Sequence, residues 1–305
     1  MDCTFVECVS VSKFESDSVE SDSDSKSLSG SDSAESESDS VSVSEFVSGS
    51  LFRKGSVAIQ EREETLFRLI LEQKFLTRSH VIEKIFRGAR SYGERRIAKL
   101  KRFGYLSGVR LFLNEPESYL LGPEAIRLIR ERGKDIRGNK GSKWLRLEPQ
   151  KEIELATYNH DKKVTATRFL FESLGLARDW KSEKVLKLGG VGGEEKVPDG
   201  LFTLNGKGIA IEVELHAKKV KRYRKIMEIY QKDPRIHYLF YVCGDLSLQR
   251  KLLELAREPE CKNYFFGLYE DLMTYREHAS FRSVRGQFQL EALMAKKEEE
   301  TCKKT

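Results

Sequence analysis

Asp199, Glu212 and Glu214 are the side chains of this 305-residue sequence whose types and spacing point most directly to chemistry. From Ile209 to Leu215 apolar and polar residues alternate, which predicts a half-buried strand. Ile209, Ile211, Val213 and Leu215 then share one face, and Ala210, Glu212 and Glu214 the other, with the two glutamates about 7 Å apart. Asn205-Gly206-Lys207-Gly208 predicts a tight turn from a partner strand over Val197–Leu204. Asp199 opens that partner, so the hairpin carries its carboxylate toward the glutamates. Three converging carboxylates repel one another unless protons or cations compensate. An oxygen-rich cluster of this kind suits Mg²⁺ or Mn²⁺, which position water and stabilise charge during phosphodiester cleavage. The same alternation also describes an ordinary hairpin face paired with Lys218, Lys219 or Lys196.

The surrounding residues supply the rest of a candidate catalytic set. His160, followed by Asp161 on a predicted helix Leu155–Leu174, could orient water or meet a phosphate, or could simply pack. Lys218 begins a basic run over Ala217–Lys232, in which Tyr223, Ile226, Met227 and Tyr230 recur at helical spacing as a core stripe. His216 and His237 lack metal-ligand spacing. The glycines at 189, 190, 192 and 193 have no helix after them, so they predict a hairpin tip rather than a phosphate loop. The sequence has no serine-nucleophile elbow. Further elements are expected as a strand near Glu183–Leu188, a buried strand over Ile236–Val242, a helix over Leu248–Ala256, a strand at Tyr264–Leu268 and a short helix at Asp271–Arg276.

The preceding segment reads as three short helices and a hairpin. Ile59–Lys74 has helical spacing; Thr77 is a helix N-cap; Ser91 opens a third helix that Gly104 closes. A hairpin follows through Tyr105-Leu106 and Ser118–Leu121, and Pro123 starts another helix. This is the order of a winged helix-turn-helix. Tyr92, Arg95, Arg96, Lys99 and Arg102 lie on the third helix, where cations reach phosphates or guanine edges in the major groove. Such modules also dock proteins.

Composition sets the frame. Residues 1–50 hold twelve acidic residues, two lysines and eighteen serines, a charge of −10, leaving +16 on the remainder. Such a segment cannot bury enough apolar surface to order itself, and its charge could compete with nucleic acid for the basic body. The expected organisation is a disordered acidic tail (1–56), a winged helix-turn-helix (57–132), a basic linker (133–148), a nuclease-like α/β domain (149–290) and a charged tail (291–305). No apolar stretch is long enough to span a membrane, and the N-terminus lacks the pattern of a secretory signal. The five cysteines form no CxxC pair, which argues against a zinc knuckle or disulfide scaffold. Reduced thiols and a cytoplasmic location are expected.

Phe75-Leu76-Thr77, Glu94–Leu100, Gly104-Tyr105-Leu106 and Tyr119–Gly122 resemble the plasmid replication-relaxation family. His160, Val197–Gly200, Ile211–Leu215 and Arg222-Tyr223 resemble its second half, so the likeness spans roughly residues 60 to 245. The second half also resembles the PD-(D/E)xK nuclease superfamily: Pro198-Asp199 and Glu212 match the metal carboxylates, with Glu214 where that superfamily usually has lysine. The resemblance implies an α+β, two-domain protein, a winged helix-turn-helix followed by a restriction-endonuclease-like domain with a mixed sheet. It implies DNA binding in plasmid or mobile-element replication or relaxation, with Asp199 and Glu212 holding Mg²⁺ or Mn²⁺ in a DNA endonuclease. Glu214, Lys218 and His160 would assist. The alternative is a non-catalytic replication or transcription regulator on a degenerate nuclease-like scaffold. Double-stranded DNA is the expected partner, a membrane is not, and a homodimer is compatible with either reading.

Overall fold

A computed structural model describes residues 57–134, 146–189, 196–257 and 263–294. The serine-rich tail, most of the linker, most of the glycine loop and the charged C-terminal tail lie outside the described residues.

The N-terminal region begins with α1 (Glu61–Gln73), where Glu63 accepts the Gln60 backbone N–H at 2.8 Å and three acidic residues occupy the first turn. Both features answer the unpaired N–H groups and positive dipole end of a helix. A two-residue strand, β1 (Leu76–Thr77), leads into α2 (Arg78–Lys84), capped as its sequence predicts by Thr77 Oγ1 accepting His80 N–H at 3.2 Å. In α3 (Arg90–Arg102), Gly93 lies where a Cβ would stand 2.5 Å from Ile82 and 2.8 Å from Phe86, so a bare backbone lets α3 press on α2. The hairpin β2 (Leu106–Val109) and β3 (Ser118–Leu121) follows, then α4 (Pro123–Lys134). The three strands form an antiparallel sheet in the order β1-β3-β2. Leu66, Phe67, Ile70, Leu76, Val81, Ile97 and Leu100 fill the core beneath it.

The C-terminal region is a seven-stranded mixed sheet flanked by helices. Its elements are α5 (Leu155–Ser173), β4 (Lys181–Ser182), α6 (Glu183–Leu188), β5 (Gly200–Leu204), β6 (Lys207–Glu214), α7 (Val220–Lys232), β7 (Tyr238–Cys243), α8 (Leu246–Arg257), β8 (Tyr264–Leu268), α9 (Tyr269–Tyr275), β9 (Ser280–Ser283) and β10 (Gly286–Gln289). Strand order is β10-β9-β8-β7-β6-β5-β4, with β6-β7 and β7-β8 parallel and the other pairs antiparallel. Phe171 of α5 packs on Ile209, Ile211, Val213 and Phe240 on one face; Tyr223, Met227 and Leu252 pack on Ala210 and Leu239 on the other. Each region thus has its own core, and α5 and α6 add Phe169, Val185 and Leu188 to the core of the N-terminal region. No helix among the described residues is long and apolar enough to cross a membrane.

One expectation is corrected and one hairpin is added. Glu183–Leu188 is a helix rather than a strand: Glu183 pairs with Lys187 at 2.6 Å one turn on, and adjacent Val185 and Leu186 are both buried, which a one-sided strand does not allow. The hairpin β9–β10 has no counterpart in the sequence reading. Its strands are four residues each, and their pairing shows only once Phe281 and Phe288 are seen stacked at 6.0 Å beside Phe240.

Candidate functional site

The β5–β6 hairpin builds the site. Asn205 (φ 50°) and Gly206 (φ 71°) both take the left-handed conformation that a two-residue hairpin turn demands. Register then pairs Gly200 with Ile211, so Asp199 and Glu212 occupy the next facing positions. Ile209, Ile211 and Val213 enter one core and Ala210 the other, which fixes Glu212 and Glu214 on the α7 side of the sheet. All three carboxylates are buried.

The three do not converge equally. Asp199 turns toward α5: its Oδ2 accepts the Val213 backbone N–H at 2.8 Å and lies 3.2 Å from His160 Nε2. Glu212 takes Lys196 at 2.9 Å and the Tyr230 hydroxyl of α7. Glu214 is held at 2.5 Å by Lys218. Asp199 and Glu212 are nonetheless near enough to perturb one another, with Lys196 acting on both. Among the described residues no group of three or more His, Cys, Asp or Glu gathers as a metal would require. Asp199 and Glu212 are two buried carboxylate-oxygen donors, each paired with a protein cation.

Behind Asp199 runs a relay of ion pairs. His160 Nδ1 is 3.4 Å from Asp161, which also receives Lys74 Nζ at 2.8 Å and Thr157 Oγ1 at 3.0 Å. Burial alone would lower the His160 imidazole, and its bonds to Asp161 and Asp199 lift it to about 10. Burial likewise opposes ionisation of Asp199, yet His160, Lys196 and the Val213 N–H hold it below the ordinary aspartate value. His160 is thus an imidazolium at neutral pH, a positioning cation rather than a free base.

Glu212 moves the other way: burial and the Asp199 charge push it up to about 7, against Lys196 and Tyr230. A carboxyl raised in the fold stabilises most below its unfolded value, here 4.5, and that contribution is lost as pH climbs through 7. Between pH 5 and pH 8 the native chain is expected to lose about 2–3 kcal/mol relative to the Glu212→Gln variant, measured by urea unfolding at both values. Parallel pH profiles for the two proteins would show that Glu212 carries no such strain.

The α3 cations expected to contact DNA separate into two sets. Arg95, Lys99 and Arg102 are exposed at i, i+4 and i+7, one stripe along the helix. Arg96 turns inward, 3.0 Å from the fully buried Glu63 of α1 and 2.6 Å from the Ala58 carbonyl. Tyr92 remains 43% exposed, its ring under the Arg62 guanidinium at 4.9 Å and its hydroxyl bonded to the same group.

Two participants lay beyond the sequence reading. Tyr230 had every mark of a core residue and is one, with its hydroxyl spent on Glu212. Lys74 comes from the other region altogether. Lys196 and Lys218, named from the sequence as partners of the hairpin face, do pair with it, although that face is buried rather than exposed. Comparison with protein-family models, with curated proteins and with solved structures found no match for this chain.

Proposed function

We propose that this protein binds duplex DNA through its N-terminal region and acts on phosphodiesters at Asp199 and Glu212. The order α1-β1-α2-α3-β2-β3 supports reading the N-terminal region as a winged helix-turn-helix, with α3 as the groove-reading helix. A nuclease-like second half, resembling PD-(D/E)xK enzymes and the plasmid replication-relaxation family, is supported by the placement of Pro198-Asp199 at the mouth of β5 and Glu212 inside β6. The observation that carries the proposal is the buried, mutually perturbed Asp199–Glu212 pair with a lysine and an imidazolium beside it.

In this reading Asp199 and Glu212 would hold Mg²⁺ or Mn²⁺, which supplies charge stabilisation at a phosphoryl oxygen and an acidified water. Val213 N–H and His160 keep Asp199 ionised and oriented. Lys196 brings positive charge to the position left without it by Glu214, and Lys218 holds Glu214 in place. The non-catalytic alternative has an observation of its own: each carboxylate already has a protein partner, so the network is closed as a scaffold would be.

Two measurements on the full chain decide. Duplex affinity should fall steeply with salt, and Arg95→Gln and Lys99→Gln should each reduce the log–log slope by about one. An affinity indifferent to salt, or unchanged in the double variant, removes the DNA-binding reading. Supercoiled plasmid should be nicked with Mg²⁺ or Mn²⁺ and not with EDTA; retained binding without nicking under either metal selects the scaffold.

A further inference from the structure

One side of α7 meets the sheet and the other meets solvent, and the two differ in chemistry. Tyr223, Ile226, Met227 and Tyr230 are buried, and Val220 and Ile229 lean on the same core. The apolar residues of the helix are thus committed inward rather than to a lipid surface or an apolar partner. The helix carries five basic residues and a single acidic one, Glu228.

The outward cations are unmatched. Lys219, Lys221, Arg222 and Lys225 are exposed, and none of the four has an ion-pair partner among the described residues. Lys221 and Lys225 are one turn apart with Arg222 beside them, so like charges repel along the helix surface. Lys251 of α8 adds another cation, its Nζ 3.4 Å from the Lys218 carbonyl at the start of α7. Other helices answer their surface cations locally: Arg127 with Glu124 and Glu131 on α4, Lys187 with Glu183 on α6, and Arg257 with Glu254 on α8. A row of exposed positive charge with neither carboxylates nor an apolar flank suits a polyanion of repeating charge, and a sugar-phosphate backbone is one.

We propose that the outer face of α7 is a second nucleic-acid contact surface, on which Lys219, Lys221, Arg222 and Lys225 lie against backbone phosphates without reading bases. It is separate from the α3 stripe, which belongs to the N-terminal region. That the nucleic acid is duplex DNA also held by α3 rests on the function proposed above; the affinity of α7 for a phosphate backbone does not.

The test uses the full chain in EDTA, so that no metal contributes, and follows fluorescence anisotropy of a labelled duplex of about 20 base pairs across a salt series. Lys221→Gln/Arg222→Gln/Lys225→Gln should lower the slope of log affinity against log salt by about two to three. It should weaken low-salt binding at least about tenfold, and equally for duplexes of different sequence. Arg178→Gln/Lys207→Gln/Arg285→Gln removes the same charge from exposed positions elsewhere in the C-terminal region, and should lower the slope by less than about one. Lys221→Arg/Lys225→Arg should keep the native slope. Every substituted position is exposed, so thermal unfolding of all three variants should stay within about 2 °C of the native chain. The proposal is overturned if the α7 triple variant keeps the native slope or if the control triple lowers it as far. It is also overturned if the α7 loss appears only on phosphatidylserine vesicles, which would assign the face to a membrane. A slope lowered by the α7 variant and not by Arg95→Gln/Lys99→Gln retains this surface and removes the N-terminal DNA-binding reading; the reverse removes this surface alone.

Discussion

Asp199→Asn is expected to lower metal-dependent plasmid nicking at least about 100-fold, equivalent to roughly 2.7 kcal/mol of transition-state stabilisation, while the protein stays folded. Asparagine keeps the shape of the side chain and an oxygen to accept the Val213 N–H, now made at 2.8 Å. It removes the negative charge that a divalent ion needs and that raises Glu212. The electrostatic consequences are specific. Glu212 should titrate lower once Asp199 is neutral, and His160, losing one of two anionic partners, should titrate below about 10. Urea unfolding at pH 8 should therefore show a stability within about 1 kcal/mol of the native chain, the loss of the His160 pair being offset by relief at Glu212. Nicking within threefold of the native rate, with stability preserved, would place the chemistry elsewhere.

Arg168→Met is expected to destabilise the fold by about 3–5 kcal/mol, the range for removing one member of a buried ion pair. Arg168 on α5 is buried, as is its partner Glu72 on α1, and its Nε also meets Glu172 at 2.8 Å. Glu172 in turn takes Lys84 of α2 at 2.5 Å. The cluster joins the two regions, so its loss acts where they meet. Methionine fills similar volume and leaves Glu72 buried without its guanidinium. The double variant Glu72→Leu/Arg168→Met should recover most of the loss, since well-packed apolar pairs replace buried ion pairs at little cost. A single-variant loss under 1 kcal/mol would mean that Glu72 is adequately served by its other neighbours.

Periodicity made the hairpin legible. Alternation over 209–215 with an Asn-Gly turn correctly assigned which residues of β6 face which layer, because a period of two leaves no other choice once one face is apolar. Helix ends at Thr77 and Gly104 were readable for a similar reason: the first is a local cap and the second a left-handed stop, with φ of 74°. Long-range pairing was not readable. Lys74 meets Asp161 across 87 residues and Arg168 meets Glu72 across 96, and nothing local distinguishes these cations from solvated ones. Arg96 illustrates the same limit, since its helix position matches that of its basic neighbours while its charge is spent on Glu63. Glu183–Leu188 was misread because six residues are too few for either period to declare itself.

The two-residue connection at Asn205-Gly206 carries a consequence for how this sequence can change. Adding or deleting one residue there would shift β6 by a single position against β5. Ile209, Ile211 and Val213 would exchange places with Ala210, Glu212 and Glu214, driving acids into the layer packed by Phe171 and Phe240. Length variation among descendants of this chain should therefore be barred at that tip, whatever substitutions its residues accept, and any lineage that breaks the rule will have abandoned the carboxylate pair as well.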